Sequence, residues 1–134
     1  MGATLESPVL ARTAVVVDDE QVVRMVLRRF LGRRGWSVVE AESAEQALDA
    51  IAGAGETPDL VLCDLHLPGL SGSALCRRVG ELHPALAGRL VLTSGDPLAA
   101  ANELAQEGLD CPVLGKPFSL ADLDALLDTL GAAL

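Results

Sequence analysis

The 134-residue sequence predicts a doubly wound α/β domain built from five strand–helix units in succession. Three observations predict it. Short β-branched runs alternate with helical patterns along the chain. Half of the residues are apolar but only 2% are aromatic, so a sizeable core must be aliphatic, made of Val, Leu and Ala. The run DLVLC (59–63) is apolar after its aspartate, as a strand buried on both faces of a parallel sheet has to be.

The elements follow in order. TAVVV (13–17) reads as a buried strand by length and composition. From Gln21 to Arg34, Val22, Val23, Val26, Phe30 and Leu31 recur at helical spacing with arginines largely between them, and Gly32 and Gly35 loosen the end. WSVVE (36–40) is the second strand. Ser43 caps the next helix with Gln46 three residues on, and that helix runs through Ala47, Leu48 and Ile51 to Gly53 and Gly55. After the third strand and LPGLSG comes a helix over about 73–82, closed by Pro84. RLVLT (89–93) is the fourth strand. Asp96 followed by Pro97 is a cap with proline at the first helical position, opening a helix to about Gln106. CPVLG (111–115) is a short fifth strand whose proline suits a strand start or a sheet edge. Ser119 with Asp122 caps a last helix with a buried stripe of Leu120, Leu123, Leu127 and Leu130. Right-handed crossovers then give a parallel sheet with helices on both faces. Residues 1–11 carry no periodicity and are expected to be a tail or linker, with the domain over 12–134.

Composition excludes several function classes. A net charge of −9 opposes nonspecific binding to nucleic acid or an anionic membrane. No apolar run approaches the roughly 18–20 residues of a membrane span, and the N-terminus lacks a signal-peptide pattern. The expected setting is cytoplasmic. Cys63, Cys76 and Cys111 are odd in number and lack metal-ligand spacing, so three separate reduced thiols are expected. Arg24 to Arg34 holds five of the ten basic residues. Val22, Val23 and Met25 beside Arg24 could form a docking face for a partner; equally, those arginines could only keep a helix solvated.

Ligands of such sheets bind beyond the carboxyl ends of the strands. The first strand ends in Asp18-Asp19-Glu20, the third in Asp64, the fourth in Thr93-Ser94, the fifth in Gly115-Lys116-Pro117. Each alone reads as turn or cap chemistry. Together they place carboxylates, hydroxyls and the chain's single lysine on one sheet edge. Crowded carboxylates repel, and a hard divalent cation such as Mg²⁺ suits such oxygen ligands. A compact ammonium adds a point charge in less space than a guanidinium fork.

The motifs VVVDDE (15–20), DLHLPGLSG (64–72), LTSG (92–95) and LGKPF (114–118) resemble those of the receiver domain of two-component response regulators, over about residues 12–131. The resemblance implies a flavodoxin-like three-layer sandwich, (βα)5, with parallel strand order 2-1-3-4-5. It implies that Asp64 accepts a phosphoryl group from a phosphohistidine of a histidine kinase or phosphotransfer protein. Asp18, Asp19, Asp64 and the backbone carbonyl of His66 would hold Mg²⁺, Asp18 mainly through water. Thr93 would hydrogen-bond the phosphoryl group, Lys116 would pair with Asp64 and then with a phosphoryl oxygen, and the Lys116–Pro117 bond would be cis. His66 and Ser94 stand where side chains tune phosphoryl lifetime. Thr93 and the residue three before the lysine form the family's switch. That residue is Val113 here instead of Tyr or Phe, and a branched valine cannot swing in and out of a pocket as an aromatic does.

The segment SGDPLAAANELAQEGLDCPVLGKPFSLADL resembles the C-terminal receivers of hybrid sensor histidine kinases, which implies a parent kinase or another downstream protein as partner. The alternatives are a stand-alone single-domain response regulator and a receiver-like interaction module that takes no phosphate. A phosphatase with an aspartate nucleophile would need a second acid at the position of His66. Neither nucleic acid nor membrane contact is expected of the domain, which would be a monomer or weak dimer.

Overall fold

The computed structural model describes residues 12–53, 57–86 and 88–131. The expected tail 1–11 and Gly55 lie outside them. The elements are β1 (Arg12–Val17), α1 (Gln21–Arg33), β2 (Trp36–Ala41), α2 (Ala44–Gly53), β3 (Leu60–Asp64), α3 (Gly72–Leu82), a 3-10 turn (Pro84–Leu86), β4 (Leu90–Ser94), α4 (Pro97–Gln106), β5 (Val113–Gly115) and α5 (Leu120–Gly131). The strands form one parallel sheet in the order β2-β1-β3-β4-β5.

Strand alternation sorts the core into two layers. Val15, Val17, Val61, Cys63, Leu90 and Leu92 face α2, α3 and α4 through Ala47, Ile51, Leu75, Val79, Ala100 and Leu104. Ala14, Val16, Leu60, Leu62 and Val91 face the other way, onto Leu27, Phe30 and Leu31 of α1 and Leu123 of α5. Both faces of the sheet are therefore covered, which is why the strands read as continuous apolar runs. The end of α1 is tied to α5 by a two-pronged ion pair from Arg34 to Asp124, at 2.7 and 2.6 Å.

The caps form as residue type predicts. Ser43 Oγ accepts from the Gln46 N–H at 3.1 Å, while the Gln46 amide reaches back one residue further than a simple capping box, to the Glu42 N–H. Asp96 Oδ1 accepts from the Ala99 N–H at 3.2 Å. Ser119 and Asp122 exchange bonds reciprocally at 3.0 and 3.1 Å.

Three expectations are corrected. In α1, Val22 is 66% and Val26 44% exposed, whereas Arg24 and Leu27 are buried. The helix turns its Arg24–Leu27–Phe30–Leu31 face inward, and simple apolar spacing misplaced that face by about one residue. In α5, Leu120 is 47% exposed, and the inward stripe is Leu123 with Leu126, Leu127 and Leu130. Cys76 of α3 and Cys111, just before β5, lie side by side, and Cys63 is buried apart from them. Strand β5 is also shorter than expected. Pro112 lies before it and offers its carbonyl to the Leu92 N–H at 3.0 Å.

Candidate active site

Register brings the site together. Val17 pairs with Cys63, Asp64 with Thr93, and Ser94 with Gly115. One residue past Val17 is Asp18, and one past Gly115 is Lys116. The parallel sheet thus delivers Asp18, Asp64, Thr93 and Lys116 to the same edge.

Asp18 is 2% exposed and every group on it is engaged. Its N–H donates to the Ala41 carbonyl of β2 at 3.1 Å. Its Oδ1 accepts from the Glu20 N–H at 2.9 Å, and its Oδ2 accepts from Lys116 Nζ at 2.7 Å. Its carbonyl accepts from Arg24 Nη1 at 2.6 Å. Asp64 takes the His66 N–H on Oδ1 at 3.0 Å and Lys116 Nζ on Oδ2 at 3.2 Å. Its side chain is 12% exposed, so it remains reachable from solvent. Asp19 is exposed.

Lys116 bridges the two strand ends. Burial alone would pull its pKa down, but the hydrogen bond and charge of Asp18, followed by those of Asp64, outweigh burial and hold it above the ordinary lysine value. The ammonium is therefore charged at any working pH. The Lys116 backbone N–H donates to the Ser94 carbonyl at 2.7 Å, and the Lys116–Pro117 bond is cis. Cys63, beside Asp64, points into the core. Its thiol pKa is pushed well above the ordinary range by burial, then by the charges of Asp64 and Asp18.

Thr93 and Ser94 are both buried, and Ser94 Oγ accepts the Asp96 N–H at 3.1 Å, which starts the turn into α4. His66 is exposed. Val113 is half-buried and packs against the core layer of α2, α3 and α4.

Among the described residues, Asp18, Asp19 and Asp64 form a group whose carboxylate oxygens lie within 4.8 Å of one another. Three hard anionic donors, one of them open to solvent, fit a divalent cation that keeps part of its water shell. Two residues were not legible as parts of this site. The sequence pattern puts Arg24 on an outward face, docking or merely solvated, yet it is 8% exposed and bonds Asp18 and Glu40. Gly72 opens α3 so close to the acceptor strand that a Cβ there would lie 2.5 Å from the Asp64 carbonyl oxygen and 2.7 Å from Leu65 Cα.

Residues 14–128 match a family model described as the response regulator receiver domain. The chain is 36% identical over 115 residues to the DNA-binding transcriptional regulator NtrC of Klebsiella pneumoniae, covering 86% of this chain and 24% of NtrC. It is 38% identical over 116 residues to the response regulator MprA of Mycolicibacterium vanbaalenii, covering 87% of this chain and 48% of MprA. The chain thus spans half or less of the length of these relatives. A putative response regulator from Chloroflexus aurantiacus superposes with a TM-score of 0.77 at 31% identity, covering 91% of this chain and 98% of that one. A response regulator receiver protein from Sinorhizobium medicae gives 0.78 at 28% identity, with 93% and 98% covered. None of the relatives named here is a hybrid kinase, so that origin remains an expectation from the tail residues. Among the described residues no helix is long and apolar enough to cross a membrane.

Proposed function

This chain belongs to the family of response regulator receiver domains, and from that membership we propose that Asp64 is its phosphoacceptor. The observation that carries the reading is the arrangement at one sheet edge: Asp64, partly open to solvent, with Lys116 Nζ at 3.2 Å and with carboxylate oxygens of Asp18, Asp19 and Asp64 within 4.8 Å of one another.

The chemistry follows from the residues. An Asp64 carboxylate oxygen attacks phosphorus of a phosphohistidine; the new P–O bond forms as the P–N bond breaks, and the imidazole leaves. A carboxylate nucleophile needs no deprotonation at neutral pH. Such transfers depend on positioning and charge neutralisation more than on covalent help. Lys116, charged throughout, releases Asp64 and follows the negative charge onto a phosphoryl oxygen, while its shorter bond to Asp18 keeps its stem in place. Thr93, opposite Asp64 in the register, offers a hydroxyl to another phosphoryl oxygen. Asp18, Asp19, Asp64 and the His66 carbonyl would hold Mg²⁺, which when bound neutralises phosphoryl oxygens. His66, exposed two residues past Asp64, and Ser94, whose buried hydroxyl shapes the β4–α4 turn, would tune the lifetime of the acyl phosphate.

The donor is a histidine kinase or phosphotransfer protein, and the setting is the cytoplasm. Its docking place is the apolar groove of about 390 Å³ between α1 and the start of α5, lined by Val22, Val26, Pro117 and Phe118 beside Lys116. The exposed Val22, Met25 and Val26 extend it. Arg24, being buried, is not part of that face. Without an aromatic at Val113, the output signal passes through Thr93 and the β4–α4 turn and not through a swinging ring.

A titration with beryllofluoride and Mg²⁺ tests the reading. Saturable binding that Asp64→Asn abolishes supports it; no binding by the wild type identifies a module that takes no phosphate.

A further inference from the structure

We propose that Arg24 is a positioning residue of this site: its guanidinium, with its charge offset by Glu40, holds the Asp18 peptide in place and thereby sets the affinity for a divalent cation. The inference rests on the reading of Asp18, Asp19 and Asp64 as a cation site and concerns how that site is built.

An arginine is seldom this buried unless paired. Arg24 is 8% exposed, on the second turn of α1, while Arg28 one turn on is mostly exposed. Its fork is used in two directions. Nη1 donates to the Asp18 carbonyl at 2.6 Å, and Nε donates to Glu40 Oε1 at 3.2 Å. Glu40 lies on β2, next to Ala41, whose carbonyl accepts the Asp18 N–H at 3.1 Å. The N–H of Asp18 is thus fixed by β2 itself. Its carbonyl is fixed by an arginine that is anchored to β2. With both ends held, the Asp18 side chain has one direction left, toward Lys116 and the acidic group. If Arg24 is removed, a carbonyl that is nearly inaccessible to water loses its partner, and the peptide must turn to find another.

The charge of Arg24 argues the opposite way from its geometry, and this makes the idea testable. A bare guanidinium bonded to the Asp18 peptide adds positive potential beside the acidic group and so opposes a cation there. Glu40, which also pairs with the exposed Arg28 at 2.9 Å, supplies part of the compensating charge, so what Arg24 chiefly contributes is geometry. Electrostatics alone predicts that Arg24→Met binds Mg²⁺ more tightly; positioning predicts that it binds more weakly.

The experiment is calorimetric titration of the protein with Mg²⁺ alone, beside urea unfolding in EDTA. Calorimetry is preferred because Trp36 stands at the far end of β2 and does not report on the site. Arg24→Met is expected to raise the Mg²⁺ Kd about tenfold, as loss of a partner that orients a metal ligand does. Arg24→Lys, which can reach the carbonyl but not also Glu40 with a fork, is expected to recover part of the affinity. Glu40→Gln, which leaves the guanidinium charge uncompensated, is expected to weaken binding as well. Wild-type binding with an unchanged or tighter Kd in Arg24→Met overturns the inference and leaves the cation reading standing. If Arg24→Met does not fold, unchanged Kd values in both Arg24→Lys and Glu40→Gln overturn it. A wild type that binds no Mg²⁺ removes the cation reading, and this inference with it.

Discussion

Lys116 Nζ lies 2.7 Å from Asp18 Oδ2 and 3.2 Å from Asp64 Oδ2, so the ammonium is shared and its shorter bond goes to the more deeply buried carboxylate. Asp18 anchors the cation, and Asp64 is the partner it can leave. The geometry accounts for a single lysine in a chain that otherwise uses nine arginines. A small rotating donor fits between two strand ends and can follow a moving charge, whereas a planar fork has fixed directions.

Lys116→Met should therefore uncover a cost at Asp18. In EDTA the variant is expected to lose about 1–3 kcal/mol in urea unfolding, the penalty of a buried charged acceptor without its donor. Added Mg²⁺ should restore part of the loss. Lys116→Arg should fold but take phosphate from acetyl phosphate at least about tenfold more slowly, since preorganised charge at a transferring phosphoryl group is worth that or more.

The pH dependence has a definite sign. The folded Lys116 pKa lies above its unfolded value of 10.5, so its stabilising contribution is complete below that value and is lost as pH rises through the folded one. The stability difference between wild type and Lys116→Met should be flat through neutral pH and shrink only above about pH 10.5. Comparing the two proteins cancels the alkaline loss from Cys63, whose raised pKa acts in the same direction in both. A difference that shrinks below pH 9 or so would contradict the ion-pair geometry.

Gly72 is required by contact. Gly72→Ala drives a methyl into the Asp64 carbonyl and Leu65 Cα, both backbone atoms that cannot swing aside. The expected destabilisation is about 1–3 kcal/mol, with a drop in Mg²⁺ affinity because the displaced segment carries Asp64. A variant as stable as wild type, with unchanged Mg²⁺ binding, would show that the loop yields at no cost.

The docking face is separable from the chemistry. Val22→Glu, at 66% exposure, should leave fold and acetyl phosphate labelling unchanged while slowing transfer from a phosphohistidine protein at least tenfold or so, as loss of a central apolar anchor does. Equal transfer rates would move the donor to another surface.

An alkylation count separates the thiols. Unfolding in the presence of reductant should expose all three thiols to iodoacetamide. In the native protein Cys63 should stay unlabelled at neutral pH, because it is buried and its thiolate is disfavoured.

The active edge was legible because strand ends are where polar residues interrupt apolar runs. Asp18, Asp64, Thr93 and Lys116 each stand at such a break, and parallel register does the rest. The caps at Ser43, Asp96 and Ser119 were legible because their bonds are local. What could not be read depends on the third dimension. Periodicity gives the stripe of α1 but not its rotation to within one residue, so it could not show that Arg24 turns inward while Val26 turns out. An arginine in an apolar spacing, with Glu40 on the neighbouring strand, was the available signal. Cys76 and Cys111 are 35 residues apart, and nothing in their spacing foretold that they lie side by side. Gly72 looked like an ordinary turn glycine, since close approach to another strand leaves no trace in local sequence.

The most direct test of the account is intact mass after incubation with acetyl phosphate and Mg²⁺, on the wild type and on Asp64→Asn. The account predicts one added phosphoryl mass on the wild type, absent from the variant and lost when Mg²⁺ is chelated. Phosphoryl incorporation that persists in Asp64→Asn, or a wild type that binds Mg²⁺ and gains no mass from acetyl phosphate or a phosphohistidine donor, would contradict it.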